Sequence, residues 1–216
     1  MPNFHEILDE MKSAYFGTEH QFIEVSRVIS VDNNPDTFSP QLYSILGDAC
    51  NQVEHLLRLL CDKLEIPIES NERKFPGYYR KLNETGIVQR QFVDLLIGKT
   101  AYSPFQILGG DITPKWWAAY NKTKHDLPQG YKKGNLGNTI TALSGAYSLH
   151  CMFAYAMDYG RNILKNEWWH ELEGISINTQ SEFPVSDDNP SGSYIPKSKI
   201  FKCISYFQDM SLGAPM

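Results

Sequence analysis

The residues from Ser39 to Ile66 constrain this chain more than any others. Leu42, Ile45, Leu46, Ala49, Val53, Leu56, Leu57, Leu60 and Leu64 step by three, one and four without a break. That spacing puts all nine on one face of an α-helix. Ser39 is a good N-cap, and Pro40 suits the first helical position, where its missing N–H costs nothing. Ile66-Pro67 closes the stretch, because a proline disfavours helical geometry in the residue before it. So long an apolar stripe needs other elements to cover it.

A second long helix is expected from Asn135, its cap, to about Tyr159, with Gly160 as its C-terminal glycine. Leu136, Ile140, Leu143, Tyr147, Cys151, Ala154 and Met157 follow the helical period, and Leu149 to Met157 is apolar nearly all round, as in a central helix. Gly134 to Met157 carries no formal charge. Its three glycines, two asparagines, several hydroxyls and His150 mark it as a buried bundle helix rather than a membrane span. Between these two lies a short helix. Thr113 can cap it, Pro114 can open it, and Pro128 stops it near Leu127.

The remaining segments carry weaker signals. Asn3 to Phe16 reads as a short amphipathic helix ended by Gly17. Phe22 to Val31 is rich in β-branched residues and predicts a strand. Phe75-Pro76-Gly77 reads as a turn, Tyr78 to Leu82 as a short helix, and Ile87 to Ile97 as strand or helix. Ile175 to Asn178 and Ile200 to Phe207 read as strands, and Asp187 to Ser193 as a polar loop. The expected architecture is a mainly α helical bundle with a small accessory sheet drawn from residues 22–31 and the C-terminal part. Residues 1–216 form one domain, with its core at about 36–160 and a less regular extension over 161–216.

At 216 residues the chain is long enough to bury a good core. A net charge of −5 gives no bulk attraction for nucleic acid. The charge is uneven, however: from Ile112 to Leu136 there are five lysines, at 115, 122, 124, 132 and 133, and one acid, Asp126. Such a patch suits an anion such as a phosphate. Cys50, Cys61, Cys151 and Cys203 are scattered, with no Cys-x-x-Cys pair, and read as free thiols in a reducing compartment. The N-terminus has no basic region followed by an apolar run, so a cytoplasmic protein is expected. There is no His-x-x-x-His, no phosphate-cradling glycine loop and no Gly-x-Ser-x-Gly. No metal and no cofactor are therefore expected.

The chemistry concentrates in residues 113–126, Thr-Pro-Lys-Trp-Trp-Ala-Ala-Tyr-Asn-Lys-Thr-Lys-His-Asp. Side chains three or four apart on a helix share a face. Trp117, Asn121 and His125 make one row, and Trp116 and Tyr120 the row beside it. Adjacent residues point about 100° apart, so the two tryptophans do not line one pocket. Trp116 with Tyr120 is expected in the core and Trp117 on the ligand side. His125 is the candidate acid, base or phosphate donor. Asn121, Lys122, Lys124, Trp117 and Lys115 are the candidate ligand-binding residues. Against this, a helical asparagine commonly bonds nearby backbone. The spacing Asn-x-x-x-His also recurs at Asn51/His55 and Asn166/His170. Glu54 and Arg58 are spaced for an i,i+4 ion pair.

Several motifs together carry a resemblance. They are Phe38-Ser39-Pro40, Cys50-Asn51-Gln52-Val53-Glu54, Ser103-Pro104-Phe105, Trp116 to Asp126, and Asn135-Leu136-Gly137-Asn138. The chain resembles a group of uncharacterised bacterial proteins that share a Trp-Trp-x-x-Tyr-Asn-x-x-Lys-His signature, over roughly residues 20 to 160. More remotely it is similar to HEPN domains, helical bundles found in RNA-cleaving toxins and defence systems. That resemblance implies a homodimer and a nucleotide or RNA partner. The HEPN signature places an arginine five to seven residues before its histidine. Before His125 those positions are Tyr120, Ala119 and Ala118. Lys122 or Lys124 would be the substitute, as a point charge rather than a bidentate fork. The alternative expectation is a non-enzymatic interaction or scaffold protein in which the Trp-Tyr-Asn-Lys-His helix is structural.

Overall fold

Ser39 sits in extended geometry and its hydroxyl accepts the Leu42 amide at 3.1 Å, so the long helix begins where its capping residue dictates. In the computed structural model this helix, α2, spans Pro40–Lys63. Residues 3–88, 91–98, 100–107, 113–125, 130–159 and 197–205 are described. The other elements are α1 (Phe4–Ser26), α3 (Phe75–Glu84), β1 (Gln91–Leu95), β2 (Ala101–Tyr102), α4 (Lys115–His125), α5 (Leu136–Tyr159) and β3 (Phe201–Ser205). Single 3-10 turns lie at Ser70–Glu72 and Tyr131–Lys133. The protein is mainly helical.

α2 ends in a reversal rather than at the expected proline. Glu65 takes a left-handed φ of 53°, and the Ile66 amide donates to the Cys61 carbonyl at 2.9 Å. α5 starts as its sequence foretells, with Asn135 Oδ1 accepting the Asn138 amide at 3.0 Å. Gly160, its expected terminator, lies outside the described residues. α2 and α5 form the most extensive helix–helix packing. The Thr139 hydroxyl of α5 donates to the Leu42 carbonyl of α2 at 3.2 Å. α5 is buried nearly all round, from Thr139 through Ala154, consistent with a central position. Among the described residues no helix is long and apolar enough to cross a membrane.

The strand expected over Phe22 to Val31 is not formed. α1 runs through Gly17 to Ser26, and Leu8, Tyr15 and Phe22 recur at intervals of seven on its buried face, with Val25 beside them. A seven-residue interval is two helical turns, so this stripe favours continuation. Gly17 does not terminate the helix, because nothing there demands a left-handed residue, and a Cβ at that position would meet open space. The short helix expected at Tyr78 starts earlier, at Phe75.

The sheet consequently has a different source. β1 is its centre, with β2 and β3 antiparallel on either side. Val93 faces Tyr102 on one edge and Cys203 on the other. β3 answers the expected Ile200 to Phe207 strand. The expected strand at 175–178 and the loop at 187–193 lie outside the described residues. One hydrophobic cluster runs from Leu8 in α1 to Phe201 in β3, so the core reaches past residues 36–160 at both ends.

A buried carboxylate fixes β3 to α1. Glu19 is 3% exposed. It accepts the Tyr15 hydroxyl at 3.0 Å, the Ser198 hydroxyl, and the Lys199 amide at 3.2 Å. Phe201 then stacks on Tyr147 of α5, with centroids 5.9 Å apart. Beside this knot the ring of His150 meets Tyr15 edge to face at 5.7 Å, and neither of its nitrogens has a hydrogen-bond partner among the described residues. Burial pushes its pKa down to about 3, and the charge of Lys12 acts the same way.

His150 is therefore neutral in the fold, whereas an unfolded histidine protonates near pH 6.5. Below that pH the unfolded chain binds more protons, and stability falls as pH drops from about 6.5 toward 3. This group alone should cost about 2 kcal/mol by pH 5. Urea unfolding at pH 7 and pH 5 will show the loss, and His150→Leu should remove most of that difference.

Candidate functional site

α4 begins at Lys115, one residue later than expected: the Pro114 carbonyl accepts the Ala118 amide at 3.1 Å, so the cap position falls on Pro114 rather than on Thr113. Its inward side is almost wholly aromatic. Trp116 is 2% exposed and donates its indole N–H to the Pro104 carbonyl at 2.6 Å. The Ser-Pro-Phe segment at 103–105 is thereby tied to α4. The Tyr79 hydroxyl of α3 donates to the next carbonyl, that of Phe105, at 2.7 Å.

Trp117, expected on the ligand side, is 5% exposed and turned inward. Its ring lies parallel to Phe75 with centroids 3.7 Å apart. The indole N–H has no hydrogen-bond partner among the described residues. Phe75 captures this ring because its own backbone is held in place: the Phe75 amide donates to Glu54 Oε1 of α2 at 2.8 Å. Both tryptophans thus belong to the core, and the 100° between them is absorbed by an aromatic cluster that wraps the helix. Phe75 meets Trp116 edge-on at 5.7 Å.

Tyr120 is also buried, as expected. Its hydroxyl donates to Asn51 Oδ1 at 2.8 Å. The Lys124 ammonium sits 4.4 Å from the centre of the Tyr120 ring. Burial raises the Tyr120 pKa, and Lys124 opposes that shift. Thr123 is buried and returns its hydroxyl to the Tyr120 carbonyl at 2.6 Å.

The outward side carries the polar half of the motif. Lys115, Lys122 and Lys124 are exposed, and Asn121 is half-buried. The Asn121 amide has no hydrogen-bond partner among the described residues. His125 is the last residue of α4, and its side chain lies outside the described residues. The expected row of Trp117, Asn121 and His125 is therefore split at its first member.

The turn at Tyr131–Lys133 brings two more lysines beside α4. Gly130 makes this approach feasible, since a Cβ there would stand 2.5 Å from the Lys122 carbonyl oxygen. Tyr131 stacks on Tyr43 of α2 at 5.7 Å, while Lys132 and Lys133 are exposed. Among the described residues none of the five lysines has an ion-pair partner.

Neither buried cysteine of α2 adds a nucleophile. Cys50 lies under Asn51, and burial holds its thiol well above the ordinary range. Burial pushes Cys61 up to about 12. Both are thiols at neutral pH, and it is the thiolate that attacks. Among the described residues no three His, Cys, Asp or Glu side chains converge as a metal site would require.

The sequence reading missed two participants. Asn51 gains its role from the distant Tyr120, which no local pattern indicates. The Glu54–Arg58 pair does not form, because Glu54 turns to the Phe75 amide and the Arg58 guanidinium lies against His55 instead, 3.3 and 3.4 Å from the two ring nitrogens.

The chain matches no family model, no curated protein and no solved structure.

The two sides of α4 should respond differently to truncation. Trp117→Ala should cost about 3–5 kcal/mol of stability, and Tyr120→Phe about 1 kcal/mol through loss of the bond to Asn51. Asn121→Ala should stay within roughly 0.5 kcal/mol of wild type. Denaturant titrations of the three variants check the division.

Proposed function

We propose that this protein is a HEPN-like helical bundle that binds the phosphate groups of a nucleotide or RNA through the outer side of α4. Lys122 and Lys124 supply the charge, Asn121 a neutral donor, and Lys115 and His125 the two ends of the surface. The observation that carries this reading is the set of exposed lysines that have no ion-pair partner among the described residues, beside an asparagine amide that has no hydrogen-bond partner among them. Cations not neutralised by the protein's own carboxylates remain available to an external anion.

Chemically, the surface suits binding better than turnover. A lysine is a compact point charge, adequate to hold a phosphate without imposing its orientation. Tyr120 steadies one of these charges through its ring. Any cleavage would fall to His125 as general acid or base. The arginine that the HEPN signature places upstream is absent, so no guanidinium on α4 clamps the developing charge. We therefore assign binding, in the cytoplasm, as the activity.

A second reading keeps α4 as an internal element of a scaffold protein. The inward turn of Trp116, Trp117, Tyr120 and Thr123 favours it, since half of the signature is used by the fold itself.

Anisotropy of a labelled single-stranded oligoribonucleotide distinguishes the two. Lys122→Ala/Lys124→Ala should weaken binding about tenfold or more at low salt and flatten the log–log salt slope by about 1.4, for two contacts at roughly 0.7 each. Its thermal melt should fall only slightly, because both lysines are exposed and only Lys124 makes a contact within the fold, over the Tyr120 ring. A wild-type protein that binds no oligonucleotide selects the scaffold reading. RNA incubated with wild type and His125→Ala tests cleavage separately, and equal activity in the two removes His125 from the chemistry.

A further inference from the structure

Phe38 stands outside the core, 43% exposed, beside the turn that carries Lys132 and Lys133. Its ring meets Tyr131 nearly at right angles, with centroids 6.0 Å apart, and Tyr131 stacks on Tyr43 of α2 at 5.7 Å. Tyr43 and Tyr131 are half-buried, so Phe38 is the outer end of a three-ring ladder. A ring left in water contributes little to folding. The segment that presents it is nonetheless firmly held. The Pro35 and Thr37 carbonyls accept the Gly137 and Leu136 amides of α5 at 2.8 Å each, and Phe38 pairs with Asn135 in an antiparallel bridge. The Thr37 amide donates to the Asn34 carbonyl at 3.0 Å, and the Asn34 side-chain amide to the Ser30 carbonyl at 3.1 Å.

Residues 33–38 line a cleft of about 400 Å³, large enough for a small ligand. Phe38 is its apolar wall, and Asp36 is the one acid that lines it. Asp36 is exposed and has no ion-pair partner among the described residues. Asp32, the next acid along the loop, lies toward Gly98, where a Cβ would stand 2.6 Å from its Oδ1. Lys132 and Lys133 directly follow the ring that meets Phe38, and Gly130 seats their turn against the Lys122 carbonyl of α4. An anion inside the cleft would meet Asp36. A neutral ring with N–H donors suits it, provided that any charge on the ligand stays outside with the lysines. Those two halves are the base and the phosphate of a nucleotide.

We propose that this cleft seats an unpaired base of a single-stranded nucleic acid against Phe38, with Asp36 accepting an exocyclic N–H of that base and the backbone lying along Lys132, Lys133 and the α4 lysines. The inference rests on the anion-binding reading of α4 and names what the ligand carries besides phosphate. Lys115 and Lys124 are separated by nine residues of helix, about 13 Å. One phosphate cannot touch both, whereas a run of phosphodiesters can. The rings of Trp116, Trp117 and Tyr120 are buried, so the stacking surface has to come from Phe38 rather than from α4 itself. A carboxylate only accepts hydrogen bonds. It therefore suits the N4 amine of cytosine and opposes the O4 carbonyl that uracil presents at the same place.

Anisotropy with labelled oligocytidylate and oligouridylate of equal length, at pH 7.5 and on the full chain, tests the inference. Wild type should bind oligocytidylate about fivefold or more tighter than oligouridylate. Phe38→Ala should weaken both about fivefold or more without changing the salt slope, because the ring touches no phosphate. Phe38→Trp should restore binding. Asp36→Asn, which keeps the shape and adds a donor, should bring the two oligomers within about threefold of each other. That ratio is the readout, since removing an acid strengthens the binding of any anion, and it stays readable if Phe38→Ala proves unstable. If an abasic oligomer of equal length competes as well as oligocytidylate, or if Phe38→Ala binds as wild type does while Lys122→Ala/Lys124→Ala is weakened, the base cleft is wrong and the α4 reading stands. If wild type binds the two oligomers equally, the role of Asp36 is overturned. If it binds neither, both readings fail.

Discussion

Phe75 is held at its backbone and at its ring. Glu54 of α2 accepts its amide at 2.8 Å, and Trp117 of α4 lies parallel to its ring at 3.7 Å, with Tyr79 parallel at 5.6 Å. A carboxylate at the start of a helix meets both an unpaired amide and the positive end of the dipole, so the first bond suits α3 as well as Phe75. Three helices are joined at one residue. The nearby loop is fixed as a consequence. Trp116 reaches the Pro104 carbonyl and Tyr79 the Phe105 carbonyl, and Gly145 of α5 leaves room, since a Cβ there would meet Pro104 and Phe105 at 3.4 and 3.5 Å. Loop carbonyls that would otherwise need water are satisfied inside the protein.

The same arrangement shapes the surface. Because Glu54 serves Phe75, it does not pair with Arg58, whose guanidinium lies against His55 instead. Because Trp117 serves Phe75, its ring is withdrawn from the outer side of α4, where exposed lysines and the Asn121 amide stand. A core requirement thus determines which charges are available outside. The Trp117 N–H, without a partner among the described residues, is the local cost, of order 1–3 kcal/mol for a buried donor, and the stacked contact with Phe75 offsets it. Away from this cluster, Glu19 ties residues 198 and 199 to α1 by the same device, a buried acid that accepts several donors at once.

How far the sequence could be read depended on the range of the interaction. Ser39-Pro40 and Asn135 announced the two long helices, because a cap acts within one turn. The stripe of α2 was legible because its period is unbroken. α1 was misread at Phe22 to Val31: β-branched content suggested a strand, while the interval of seven linking Leu8, Tyr15 and Phe22 won through burial. Trp117 was misplaced for a related reason. Helical geometry separates it from Trp116, but nothing local reveals that Phe75 supplies a second wall.

By itself, the sequence determined the mainly helical class, the start of α2, α4 and α5, and the concentration of lysines around α4. These follow from propensity, capping and periodicity, which act over a few residues. Only the tertiary structure decided which strand pairs with which, which acid serves which amide, and therefore which cations are left unneutralised. β1 meets β3 across more than a hundred residues, and Tyr120 meets Asn51 across 69. Contacts of that range depend on the whole chain closing on itself, and no window of sequence contains both partners.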